Sequence, residues 1–144
     1  TLVFAMSDVF TKEKRSEVMS RIRGQGNKRT ELALIKIFRQ LGITGWRRRY
    51  PAFGKPDFAF PALRLAVFVD GCFWHCCPKH KTRPQSNKEF WEKKLETNRR
   101  RDREVNRELK KRGWLVLRIW EHELKKMNEK KLILKLCRHI SKAT

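Results

Sequence analysis

The sequence predicts one α/β domain built on a mixed sheet with helices on both faces, and three observations carry that expectation. The uninterrupted apolar run Leu65-Ala-Val-Phe-Val69 has the composition of a strand buried on both faces. A second strand pattern, Trp114 to Trp120, follows it across one long helical segment. Together they make a βαβ unit with parallel strands and a right-handed crossover. A third strand, Asp57 to Phe60, precedes the apolar run across a short Pro-containing turn, so that pair should be antiparallel.

The elements can be justified in chain order over 1–144, read as a single domain. Residues 1–7 are taken as an extension or flexible lead, with Met6 as a candidate natural start. Phe10 to Arg23, inside an N-terminal segment 8–26, places Val18, Met19 and Ile22 at helical spacing, and Gly24 and Gly26 end it. From Lys28 to Leu41 the repeat Leu32, Ile35, Phe38 and Leu41 predicts a helix, with Leu34 widening its face and Gly42 as its stop. Trp46 to Tyr50 reads as an edge strand. Ser86-Asn-Lys-Glu89 has the form of a capping box opening a helix through Arg112, closed by Gly113. In the strand after it, Leu115, Leu117 and Ile119 share a face. The segment 128–144 opens at Asn128 and gives a last helix whose apolar side is Leu132, Leu136 and Ile140. Cys137, beside Leu136, is expected to be a buried thiol.

Composition narrows the function. Lys and Arg number 36 against 15 Asp and Glu, a formal net charge of +21. A compact chain with that charge repels itself, and a polyanion such as nucleic acid is the partner that relieves it. No apolar run approaches a bilayer span, and the first residues lack a signal-peptide layout, so no membrane role is expected. Four cysteines, two of them adjacent, lie among histidines rather than at disulfide spacings, which suits metal binding in a reducing cytoplasm.

Four constellations carry chemistry. In Gly54-Lys-Pro-Asp57 a carboxylate begins a strand, and the next strand delivers Asp70 at its end. Antiparallel pairing would bring Asp57 to the 69–70 backbone. A hard cation such as Mg²⁺ could then use Asp57, the Val69 carbonyl and, as a further candidate, Asp70. Cys72, Cys77 and His80 form Cys-x₄-Cys-x₂-His, three candidate zinc ligands, and zinc takes four. His122 follows the strand parallel to 64–69 and so ends at the same side of the sheet; Cys76 and Cys137 compete with it. Among the aromatics, Phe90 is assigned to the core, while Phe73, Trp74 and Trp91 stand open between core packing and stacking on bases. Along Asn98-Arg-Arg-Arg-Asp102 the arginines Arg99 to Arg101 suit phosphates, and Asp102 suits the orientation of an imidazole such as His75.

These motifs also carry a resemblance. Asp8-Val-Phe-Thr, Arg15-Ser-x-x-Met19, Thr30-Glu31, Gly54-Lys-Pro-Asp57, Val69-Asp-Gly-Cys-Phe-Trp-His75 and Pro78-x-His80 resemble the very short patch repair endonucleases. So do Phe90-Trp91, Asn98-x-x-Arg-Asp102 and Gly113-Trp-x-Val-Leu-Arg-x-Trp-Glu-His122, so that the likeness runs from Asp8 to about Lys126. The resemblance implies a restriction-endonuclease-like fold of the PD-(D/E)xK type with a structural zinc. It implies a Mg²⁺-dependent enzyme that nicks one DNA strand 5′ of the thymine in a T·G mismatch left by deamination of 5-methylcytosine. Asp57 then becomes the principal Mg²⁺ ligand, and His75 the general base or acid paired with Asp102. Glu31 falls where an acidic residue lies near the metal. Phe73, Trp74 and Trp91 fall on intercalating aromatics, and Met19 and Ile22 on a helix that enters from the minor groove; Arg99 and Arg101 join them as DNA contacts. The zinc set maps to Cys72, Cys77, His80 and His122. A monomer working at the bacterial nucleoid, alongside mismatch-repair or polymerase partners, is the implied setting. Three positions depart from the pattern. Cys72 stands two after Asp70 where such sites commonly carry lysine, Asp70 replaces a histidine, and Cys76 replaces a frequent glycine.

Overall fold

The computed structural model describes residues 29–72, 75, 77–79 and 86–144. The helix expected over Phe10–Arg23, and with it Met19 and Ile22, lies outside the described residues, as do Phe73, Trp74, Cys76 and His80. The elements are helix α1 (29–40), strands β1 (Arg47–Arg48), β2 (Phe58–Phe60) and β3 (Leu65–Asp70), helix α2 (Lys88–Lys111), strand β4 (Leu115–Trp120) and helix α3 (Glu129–Ala143). The sheet order is β1-β2-β3-β4. β1 and β2 pair antiparallel, as do β2 and β3, whereas β3 and β4 run parallel from Leu65↔Leu115 to Asp70↔Trp120. The mixed sheet and the βαβ unit are therefore as the sequence pattern requires.

Side-chain alternation divides β3 and β4 between two different environments. Leu65, Val67 and Val69, with Leu117 and Ile119, join Phe58 and Phe60 in the main core, against Leu34, Ile35, Ile37 and Phe38 of α1 and Leu132 and Leu136 of α3. Ala66 and Phe68, with Val116, pack instead on Leu109, Val105 and Trp114 of the α2 side. The first cluster is anchored by rings: Phe38 meets Phe58 edge-on with centroids 5.5 Å apart and Phe60 at 5.7 Å, the geometry favoured by aromatic quadrupoles.

Several local expectations need correction. On α1 the buried residues are Leu34, Ile35, Ile37 and Phe38, whereas Leu32 is 51% and Leu41 38% exposed. A strict three-residue repeat drifts by about 60° per step on a helix of 3.6 residues per turn, so Leu32 and Leu41 end on opposite sides. The capping box does not form: α2 starts at Lys88 after Asn87, whose φ of 53° is left-handed, and no side chain caps the helix. Ser86 could cap only if Asn87 were already helical. Phe90, expected inside, is exposed, and Trp91 beside it is buried. Cys137 is exposed rather than buried, because neighbouring helix positions point about 100° apart and Leu136 takes the inward one. Gly113, at φ +84°, does close the helix as expected.

The turn before β2 is fixed by close approach to α2. Gly54 has φ +78°, and a Cβ there would lie 2.4 Å from Val105 Cγ1. Only glycine meets both demands, and the turn it makes delivers Pro56 and Asp57 to the start of β2.

Candidate active site and metal centre

Two groups of chemistry-bearing side chains meet at the C-terminal end of β3. The first is carboxylate-rich. The Val69 amide donates to Asp57 Oδ2 at 2.7 Å, which ties the residue before β2 to the end of β3 across the antiparallel pair. Burial lifts the Asp57 carboxyl from 3.8 to about 6; the Val69 amide opposes this, and a hydrogen bond and charge from Glu31, with the charge of Asp70, add to it. Glu31, on the first turns of α1, is also held by Arg48 of the edge strand, Nη2 to Oε2 2.5 Å. Two carboxylates within hydrogen-bonding reach, one forced toward its neutral form, make an oxygen-donor set suited to a hard cation.

The second group surrounds His75. Its Nδ1 lies 2.5 Å from Asp102 Oδ2 and 3.7 Å from Asp70 Oδ1. Donation from Nδ1–H to Asp102 leaves Nε2 as the nitrogen able to exchange a proton. The His75 amide donates to the Gly71 carbonyl, which pins the turn that carries the ring. Asp70 is 4% exposed, and burial raises its carboxyl while His75 and Arg118 pull it down. Arg118 Nη1 donates to Asp70 Oδ1 at 2.9 Å and approaches Asp102 Oδ1 at 3.6 Å. Its Nε donates to Asn106 Oδ1 at 2.8 Å, and its guanidinium lies over the Phe68 ring, 4.2 Å from the centroid.

A separate cluster adjoins these two. Cys72 Sγ and Cys77 Sγ lie 3.3 and 3.5 Å from His122 Nδ1, and the three ligand atoms all fall within 4.8 Å of one another. A tetrahedral zinc with Zn–S near 2.3 Å and Zn–N near 2.0 Å separates sulfur from nitrogen by roughly 3.5 Å, so the donor set fits. Without a cation, burial pushes the Cys72 thiol up to about 12; a backbone contact with His122 opposes this, while Cys77 and Glu121 add to it. A bound metal would reverse that and hold thiolate. The loop is shaped by protein hydrogen bonds as well: Cys77 N–H to Cys72 O at 2.9 Å, Cys72 N–H to Glu121 Oε1 at 3.0 Å, and Asn128 Nδ2 to His122 O at 2.7 Å.

The structure thus brings Asp57, Glu31, Asp70, His75 and Asp102 into one region, and Cys72, Cys77 and His122 into another. Cys137 is not among the three clustered ligands. Trp91, considered for stacking on DNA, is 4% exposed, and contact with a base would require it to leave its pocket. Arg101 is exposed on α2, and Arg99 reaches Glu96 at 3.7 Å. Sequence reasoning assigned no role to Arg118, Asn106, Glu121 or Arg48. A signal for Arg118 was present: one cation inside the strand Leu115-Val-Leu-Arg-Ile-Trp120 needs a buried counter-charge.

Comparison with known proteins fits this geometry. The family model "DNA mismatch endonuclease Vsr" matches residues 7–81. The type II nicking enzyme V.NmeDIP of Neisseria meningitidis serogroup C is 43% identical over 121 residues, 83% of this chain and 81% of its own. The type II nicking enzyme V.NaeI of Lentzea aerocolonigenes is 55% identical over 69 residues, 48% of this chain and 42% of its own. The DNA mismatch endonuclease Vsr of Escherichia coli K12 is 34% identical over 122 residues, 83% of this chain and 77% of its own. With that likeness spanning both the carboxylate site and the cysteine loop, the chain belongs to the Vsr family, as a DNA endonuclease of the Vsr type.

Proposed function

We propose that this chain nicks one strand of duplex DNA 5′ of the thymine in a T·G mismatch, the product of 5-methylcytosine deamination, and so opens very short patch repair. The observation that carries this reading is the oriented imidazole: His75 Nδ1 against Asp102 Oδ2, in contact with Asp70 and next to the Asp57–Glu31 carboxylates. Membership in a mismatch-endonuclease family and likeness to nicking enzymes support single-strand cleavage.

Asp57, the Val69 carbonyl and Glu31 would hold Mg²⁺. When bound, that ion supplies Lewis-acid stabilisation of the phosphate and a lower pKa for the attacking water. His75 Nε2 takes the proton from that water, and Asp102 holds the ring in the tautomer that permits it. Asp70 has its Oδ1 committed to Arg118 and is given no metal role. Cys72, Cys77 and His122, with His80 as the fourth ligand, would hold a structural zinc as two thiolates and two imidazoles. Phe73 and Trp74, with Met19 and Ile22, open the base stack, which costs least at a mismatch; Arg99 and Arg101 engage phosphates. Buried Trp91 belongs to the packing beneath α2.

The test is nicking of otherwise identical duplexes carrying T·G, T·A or C·G at one position, with Mg²⁺ or with chelator. Mg²⁺-dependent cleavage of one strand of the T·G duplex alone is expected. Equal cleavage of all three would make the chain a nuclease for matched DNA, and no cleavage with retained binding would make it a binding module.

A further inference from the structure

We infer that Arg118 is a positioning residue for the nicking reaction, fixing through Asp70 and Asp102 the plane in which His75 works. This rests on the proton-shuttle role proposed for His75. Position 118 lies on β4 directly opposite Phe68 of β3, and the two side chains share the sheet face turned toward α2. That face carries a small apolar cluster around Ala66, Phe68 and Leu109, and the guanidinium beside it is held by specific contacts. The Phe68 ring lies beneath it at 4.2 Å, Asn106 Oδ1 accepts from Nε at 2.8 Å, and Asp70 Oδ1 accepts from Nη1 at 2.9 Å. A planar fork fixed at three points cannot swing, and its side chain is only 19% exposed.

What the fork fixes is the surround of one imidazole nitrogen. Asp102 Oδ2 lies 2.5 Å and Asp70 Oδ1 3.7 Å from His75 Nδ1, and Arg118 Nη1 touches Asp70 and lies 3.6 Å from Asp102 Oδ1. Two carboxylates crowd one ring, and the guanidinium between them offsets their mutual repulsion. Removing the cation lets one carboxylate rotate away, and with it the plane of the ring. Asp102 comes from α2 and Asp70 from β3, so Arg118 on β4 is also the side chain that ties the two elements at the level of the site. Arg118 touches neither the Asp57–Glu31 carboxylates nor the cysteine cluster in this structure, so its effect should be confined to His75.

Arg118→Gln keeps a polar planar group of similar length but no charge. In that variant kcat for the T·G duplex should fall on the order of 30-fold, the scale of a catalytic group displaced rather than deleted. KM, duplex affinity and zinc content should stay within about threefold, as expected when only the reacting geometry is lost. Asn106→Ala, which removes only the Nε acceptor, should lower kcat roughly fivefold, and Arg118→Lys should recover part of the loss. A readout independent of activity is the downfield proton resonance of His75 Nδ1–H, identified by its absence in His75→Ala. It should be sharp in wild type and broadened or lost in Arg118→Gln. Should wild type fail to nick any duplex, the function reading falls while this resonance still tests the positioning role. An Arg118→Gln protein with unchanged kcat and an unchanged resonance would overturn the inference. So would one with weakened duplex affinity at unchanged kcat, which would make Arg118 a DNA contact. If Arg118→Gln does not fold, Asn106→Ala decides by the same two measurements.

Discussion

The two faces of β3 and β4 are made from alternate residues of the same strands and do different work. One face, shared with α1 and α3, is apolar: Leu65, Val67, Val69, Leu117 and Ile119 pack with the buried side chains of the main core. The other begins with a small apolar patch of Ala66, Phe68 and Leu109, then turns ionic toward the strand ends with Asp70 and Arg118. α2 follows the same division along its length. Its inward stripe is Trp91 and Leu95, then Asp102, then Val105 and Leu109, a carboxylate set in an otherwise apolar row. The difference teaches that the ionic cluster is paired well enough to be tolerated, while cohesion comes mainly from the opposite side.

Substitutions that touch one face and spare the other test this division most directly. Asp57→Ala should lower nicking by about a thousandfold or more, and His75→Ala by roughly 10² to 10⁴. T·G duplex affinity should change little in either, and neither should lose stability on the scale of a core truncation. The pair separates further by metal titration, since Asp57→Ala should weaken Mg²⁺ binding and His75→Ala should not. Nicking at wild-type rate by Asp57→Ala would end the catalytic reading of this face. On the apolar face the expectation is the reverse. Phe38→Ala removes the ring that meets Phe58, Phe60 and Trp46 and should cost about 3–5 kcal/mol of stability in denaturant titration. The fraction that remains folded should nick at the wild-type rate.

The sequence shows the apolar face more plainly than the ionic one, for physical reasons. An apolar run at 65–69 and alternation at 115–119 are local patterns, so the βαβ unit and the parallel direction of its strands could be read from them. Which way a helix faces is a finer matter. Phe90 and Trp91 are neighbours about 100° apart on α2, and only one can turn inward; the later inward positions Leu95 and Leu109 select Trp91, a choice the dipeptide alone does not contain. Asp57, His75 and Asp102 were legible because rare residue types stood in motif-like strings. The partners of Arg118 are distant in sequence, Asp70 by 48 residues, so a lone cation in an apolar strand shows that a counter-charge is needed without showing which one. Cys72 and Cys77 signalled a candidate metal-binding cluster by their spacing, whereas His122 needed the parallel strand pair to be placed with them.

A smaller effect, with a defined sign, follows from the proton on Asp57. Burial holds its folded-state pKa near 6, above 3.8, so the cation-free folded chain binds that proton more tightly than the unfolded chain does. The stability gained is complete below about pH 4 and disappears as pH climbs through about 6. Cation-free wild type should therefore lose more melting temperature between about pH 4.5 and 7 than Asp57→Asn does. Mg²⁺, which needs the ionised carboxylates, should stabilise wild type more at the upper end of that range. A wild type and Asp57→Asn with parallel pH profiles would show that Asp57 is ordinary in solution.

The smallest expected effect compares two cysteines, one in the candidate metal centre and one on a helix surface. Cys77 is buried, with its sulfur 3.5 Å from His122 Nδ1 and its amide bonded back to Cys72. Cys137 is exposed on α3, one residue past the buried Leu136. Replacing a sulfur that belongs to a converging donor set removes a ligand that serine does not replace for zinc. Replacing an exposed sulfur removes nothing that is packed or coordinated, so Cys137→Ser should change stability by less than about 0.5 kcal/mol. Elemental analysis should find the same zinc content, one per chain, in wild type and Cys137→Ser, and clearly less in Cys77→Ser, together with a lower melting temperature. Zinc lost from Cys137→Ser would draw α3 into the metal centre and make its exposed sulfur a ligand. Zinc retained in full by Cys77→Ser would instead mean that the convergence of Cys72, Cys77 and His122 packs a loop and holds no metal.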